Sequence, residues 1–104
     1  AVDPVKLGYH ITAYVNLDVL PGEKLVFYER MAEIPNVLEC SCVTGDYSML
    51  LKVAFSSTME LDAFIGEVQK YGKTNTQIVL STPVGPRGAD CMEAGDSFLR
   101  STNE

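Results

Sequence analysis

Apolar side chains fall on alternate positions along residues 8–19, GYHITAYVNLDV, where Tyr9, Ile11, Ala13, Val15, Leu17 and Val19 share one side. His10, Thr12, Asn16 and Asp18 take the other, with Tyr14 the exception. A period of two over this length predicts a half-buried strand. Pro21-Gly22 then breaks the chain, and the period changes. From Gly22 to Ile34, steps of 100° gather Leu25, Phe27, Tyr28, Met31, Ala32 and Ile34 into one half of a circle. Glu23, Glu29, Arg30 and Glu33 face away from it, while Lys24 and Val26 break the pattern, so the segment reads as an amphipathic helix ended by Pro35.

Two further β-like runs, VLECSCV at 37–43 and YSMLLKVAF at 47–55, flank Thr44-Gly45-Asp46 at a separation that suits a hairpin. Ser57-Thr58-Met59-Glu60 has the spacing of a capping box, in which Ser57 accepts from the backbone and Glu60 reaches back. Leu61, Phe64, Ile65, Val68 and Tyr71 follow at helical spacing, and Gly72 suits the end. The last run, TNTQIVLSTPV at 74–84, predicts a strand with Thr74, Thr76, Ile78 and Leu80 on one side. After Pro83 the pattern fades, so residues 85–104 are expected to be a mobile or lightly docked C-terminal tail.

The resulting order, β-α-β-β-α-β, predicts an α+β fold: a ferredoxin-like sandwich whose antiparallel sheet carries both helices on one face. One domain is all that 104 residues accommodate. Strands 1 and 3 offer apolar groups to both faces of the sheet, which predicts a homo-oligomer formed through the uncovered face.

Composition narrows the function. Hydrophobic residues make up 46% and charged residues 21% of the chain, a globular balance. Fourteen acidic against eight basic side chains give a formal charge of −6 without a basic cluster, so the chain is not expected to bind DNA or an anionic membrane by itself. No apolar run reaches the roughly 18 residues of a membrane span, and the N-terminus lacks a signal pattern, so a cytoplasmic location is expected. Cys40, Cys42 and Cys91 are too few for a disulfide framework. Cys40 and Cys42 share one face of a strand. With His10 the single histidine and no nucleophile paired with an acid, neither a catalytic set, a metal site nor a cofactor is expected.

In the hairpin, Gly45 suits a positive φ and Thr44 and Asp46 suit a turn, which a plain connection already explains. The N–H groups of a glycine turn also make a cradle for a carboxylate. Thr74 and Thr76 are ordinary strand formers as they stand.

The stretch ECSCVTGDYSMLLKV, followed after a helix by YGKTNTQIVLSTPV, resembles the effector-binding (RAM) domain of the leucine-responsive and asparagine-responsive (Lrp/AsnC) feast-famine regulators. The opening AVDPVKLGY is similar to their connector, and the resemblance covers residues 1–84, with 1–7 as the connector remnant. It implies a domain that dimerises and assembles further, commonly to octamers, with an amino-acid effector held between dimers. The implied effector-binding residues are Val43, Thr44, Gly45, Asp46, Tyr47 and Ser48 of the turn, with Thr74 and Thr76 from a neighbouring subunit. It also implies DNA binding through a preceding helix-turn-helix domain that these residues do not include; the chain is expected to be either an excised domain or a stand-alone relative, and the connector remnant favours excision. Many family members carry Asp where this chain has Ser48, and a serine supplies no charge to an effector's ammonium group. Two alternatives remain, a multimerisation module without effector and a small dimeric α+β barrel enzyme.

Overall fold

The computed structural model describes residues 8–87 of the chain. The connector remnant at 1–7 and all but the first three residues of the expected tail lie outside the described residues.

The elements run β1 (Ile11–Leu17), a 3₁₀ turn at Pro21–Glu23, α1 (Lys24–Ala32), β2 (Val37–Cys42), β3 (Met49–Phe55), α2 (Thr58–Val68) and β4 (Thr74–Ile78). One sheet holds the strands in the order β2-β3-β1-β4, every neighbouring pair antiparallel. This is the expected ferredoxin-like α+β arrangement.

The period of two in β1 and β3 decides which face is covered. Ala13, Val15 and Leu17 are fully buried, and directly opposite them in β3 lie Val53, Leu51 and Met49, also fully buried. Phe27 and Met31 of α1 and Leu61, Phe64 and Val68 of α2 complete the same core. Each of these side chains larger than Ala13 contributes about 1.5–3 kcal/mol by leaving water. Three aromatic contacts lock the layers: Phe27 meets Tyr71 edge-on at 5.2 Å and Tyr28 at 6.3 Å, and Phe55 tilts against Phe64 at 5.3 Å.

Several details differ from the sequence reading. In α1 the buried stripe is narrower than the apolar arc, since Leu25 is 76% exposed and Ala32 is also exposed. The helix meets the sheet along one line, through Phe27 and Met31 with Tyr28 and Ile34 beside them. At α2, Ser57 Oγ accepts from the Glu60 amide at 3.2 Å as expected, but the Glu60 carboxylate turns to the Ser56 hydroxyl at 2.6 Å instead of reaching back. The last strand stops at Ile78 and not at Val84; one further bond, from the Val79 amide to the Thr12 carbonyl at 2.8 Å, ends the ladder, and Leu80 is 97% exposed.

The sheet face turned away from the helices carries Thr12, Tyr14, Asn16, Leu50, Lys52, Ala54, Asn75 and Gln77, a mixed surface where Leu50 is half-buried and Ala54 buried. The strongly exposed large apolar residues lie elsewhere, at Leu20, Leu25 and Val26 around the start of α1, and at Met59, Ile78, Leu80 and Val84.

Gly72 shows why glycine follows α2. It has φ +158°, and a Cβ built there would run into the carbonyl of Asp18, so backbone meets backbone with no room for a side chain. Gly72→Ala is therefore expected to destabilise the domain by about 2 kcal/mol or more. Gly22→Ala, with open space around it and no positive φ, should be close to neutral; thermal unfolding of the two variants side by side checks this.

Candidate functional site

Residues 43–48 form a closed loop whose base is tied twice. The Val43 amide donates to the Ser48 carbonyl at 2.8 Å, which carries the β2–β3 ladder one step past the Cys42–Met49 pair. The Ser48 hydroxyl accepts from the Val19 amide at 3.0 Å and lies 3.5 Å from the Leu17 carbonyl. Thus the side chain at the position of interest is spent on holding the end of β1. Above this base, Thr44, Gly45 and Asp46 are exposed, with Val43, Tyr47 and Ser48 half-buried. Gly45 adopts φ +115°, which L side chains resist, so the turn as expected depends on glycine.

Thr74 and Thr76 sit on the far side of β1. Thr74 pairs with Leu17 and Thr76 with Val15, so both share the face covered by the helices. At the sheet end where Ser48 grips Leu17 and Val19 from one flank, Thr74 approaches Leu17 from the other. The structure brings Val43–Ser48 and Thr74 to one end of the sheet, with β1 between them. The Thr74 hydroxyl lies 3.4 Å from the Gln69 side-chain amide. Thr76 instead lines a groove of about 540 Å³ between α2 and β4, with Thr58, Met59, Leu61, Asp62, Ile65 and Ile78. A second hollow, of about 280 Å³, lies between α1 and β2; neither is lined by residues 43–48. His10 is exposed, and among the described residues no three His, Cys, Asp or Glu side chains converge as metal ligands.

Sequence reasoning missed the groups that position this end: Asp18 and Val19, whose amides are claimed by the Lys73 carbonyl at 3.1 Å and by Ser48, and Gly72 at its tight crossing. Only the glycine left a trace in the sequence, and it read as a helix terminator.

A four-stranded antiparallel sheet with two helices packed on one face defines a ferredoxin-like α+β domain. The chain belongs to the Lrp/AsnC ligand binding domain family, whose model matches residues 12–88. It is 33% identical over 84 residues to the HTH-type transcriptional regulator FL11 of Pyrococcus horikoshii, a match covering 78% of this chain and 56% of that one. The solved structure of E. coli AsnC is similar with a TM-score of 0.72 and 25% identity, over 85% of this chain and 62% of that one. A feast or famine regulatory protein from M. tuberculosis, solved in complex with L-methionine, shares the fold with a TM-score of 0.72 and 24% identity over the same 85% and 62%. The chain spans little more than half the length of the regulators it matches in sequence.

The Ser48 contact gives a prediction independent of any ligand. Ser48→Ala leaves the part-buried Val19 amide without its acceptor and is expected to lower stability by about 1 kcal/mol. Amide hydrogen exchange at Val19 should accelerate with it, whereas exchange at Val15, inside the β1 ladder, follows only the global change.

Proposed function

We propose that this chain is the ligand-sensing and oligomerisation domain of a transcription regulator, in which an amino acid or related metabolite binds between dimers and changes the assembly of attached DNA-binding heads. The observation that carries this reading is the exposed turn at Thr44–Asp46, set by the left-handed Gly45 on a base fixed to β1. Its amide-bearing backbone suits a carboxylate. A single chain leaves the turn open, so a second subunit, bringing its own Thr74 and Thr76, closes the pocket. The L-methionine held by the M. tuberculosis protein supports an amino acid as the effector class. DNA binding belongs to a helix-turn-helix domain in the part of the regulator that this chain does not cover, as the name of the P. horikoshii relative suggests. The domain runs from residue 1 to 84, the assembly is a homodimer growing to a higher oligomer such as the octamer, and the location is cytoplasmic. Among the described residues no helix is long and apolar enough to cross a membrane.

Ligand shifts such an assembly only through its differential affinity for the competing states. A second reading, assembly without effector, draws on Ser48: its hydroxyl is engaged by β1 and brings no charge to an ammonium group. The named relatives are transcription regulators, and the enzyme alternative has no comparable support.

Thermal unfolding against the twenty amino acids separates the two. An effector at about 100 times its Kd adds about 2.7 kcal/mol, a midpoint rise of many degrees in a domain of this size. Thr44→Arg, at an exposed turn position, should keep the fold and abolish the rise. Gly45 is unsuitable for this substitution because its φ strains any side chain. A panel flat at millimolar concentrations favours assembly alone, and light scattering that finds a monomer throughout overturns both readings.

A further inference from the structure

We propose that β4 is a self-pairing edge: two copies of this chain join β4 to β4, antiparallel, into one continuous sheet with Thr76 on the two-fold axis. In the order β2-β3-β1-β4, each outer strand has a neighbour on one side only among the described residues. The two edges are built differently. β2 carries a register shift between Val37 and Glu39 and the charge of Glu39 itself, and both discourage a further strand. β4 pairs with β1 without a shift, and from Thr74 to Pro86 the chain has no charged side chain. In a chain of formal charge −6, that uncharged edge is where a second copy meets least repulsion.

The ladder to β1 decides which backbone groups are on offer. The Val79 amide donates to the Thr12 carbonyl at 2.8 Å, and the Asp18 amide to the Lys73 carbonyl at 3.1 Å. Backbone direction alternates along a strand, so Asn75 and Gln77 also turn their N–H and C=O groups to β1, while Thr74, Thr76 and Ile78 turn theirs outward. This outward set is self-complementary. With Thr76 opposite its counterpart, Thr74 of each copy faces Ile78 of the other, and every outward donor of the strand meets an outward acceptor.

Apolar surface lies where this pairing covers it. Met59 and Ile78, both strongly exposed, line the groove of about 540 Å³ between α2 and β4, and exposed Leu80 follows directly after the strand. Thr74, Thr76 and Ile78 share the helix side of the sheet, so pairing sets the grooves of the two copies side by side across the axis. Asp62 is the charged side chain lining the groove, and it stands on α2 and not on the strand. The contact uses the main chain of β4, keeps the Thr74 and Thr76 hydroxyls on the helix side and leaves the turn at 43–48 open, so it does not rest on the effector reading.

Disulfide trapping of the full chain tests the register, in a background carrying Cys40→Ala, Cys42→Ala and Cys91→Ala. A hydrogen-bonded antiparallel pair holds its Cα atoms about 5.5 Å apart, inside the disulfide range of about 4.4–6.8 Å, so Thr76→Cys should cross-link into dimers under mild oxidation. Asn75→Cys should not, because it faces Gln77 of the other copy and its own counterpart lies a further two steps, roughly 6.6 Å, along the strand. Charge gives a second readout in otherwise unchanged chains. Thr76→Lys sets like charges directly opposite and should halve the mass seen in sedimentation with the circular dichroism of the parent kept; Thr76→Glu should do the same, and mixing the two variants should restore the parent mass. No trapping at Thr76→Cys, equal trapping at Asn75→Cys, or a mixture no heavier than either variant alone overturns the proposal. The thermal response of the parent chain to amino acids is read separately and stands whichever way these results fall.

Discussion

The end of β1 is the constraint on which the arrangement rests. Beyond Leu17 the chain leaves the sheet, and the amides of two successive residues are taken from opposite sides: Asp18 by the Lys73 carbonyl at 3.1 Å and Val19 by the Ser48 hydroxyl at 3.0 Å. Successive amides of extended chain point in opposite directions, so one short segment joins the base of the β2–β3 turn to the junction between α2 and β4. Neither bond belongs to the β ladders. The first depends on Gly72, whose backbone passes against Asp18 where a side chain would not fit. An amide left unpaired there would carry a desolvation penalty of about 1–3 kcal/mol, comparable to a sizeable share of a small domain's stability.

This constraint also bears on the site. A turn whose base is fixed presents its backbone in one conformation, and the ordering entropy is lost on folding instead of on ligand binding. The same bonds use the Ser48 hydroxyl, so the exposed turn offers backbone groups, the Thr44 hydroxyl and the Asp46 carboxylate in its place. In the proposed pocket the backbone N–H groups would suit the carboxylate end of an amino acid, and the Asp46 carboxylate its ammonium end.

How far the sequence foretold this depends on whether the deciding partner was local. The alternation in β1 and β3 was legible because burial acts residue by residue, and Ala13, Val15, Leu17, Leu51 and Val53 lie where the period puts them. The width of α1's buried stripe was not, since Leu25 has helical spacing but no sheet beneath it; nor was the end of β4, where apolar Leu80 continues the pattern into solvent. The Gly45 turn was readable from its own residues. The contact that Ser48 makes was not legible, because its partner lies 29 positions away and no local pattern reports it. Thr74 and Thr76 were correctly put on one face, but only the register with Leu17 and Val15 decides that this face is the helix side and not the open one.

Two helices laid on four strands cover the middle of a sheet better than its borders. The consequence is visible at both edges: α1 overhangs β2 and leaves the hollow of Tyr28, Met31 and Cys40, and α2 overhangs β4 and leaves the groove of Met59, Ile65 and Thr76. Such margins admit small molecules or ions while the core beneath, sealed by Val15, Leu17, Leu51 and Val53, keeps its packing. The turn at 43–48 lies at the end of the sheet, outside both margins. The turn nonetheless continues β2 directly, so an effector held there would act on the edge strand that lines the first margin. Coupling between turn and margin would need no long path, and its size would be bounded by how differently a ligand binds any two arrangements of that strand.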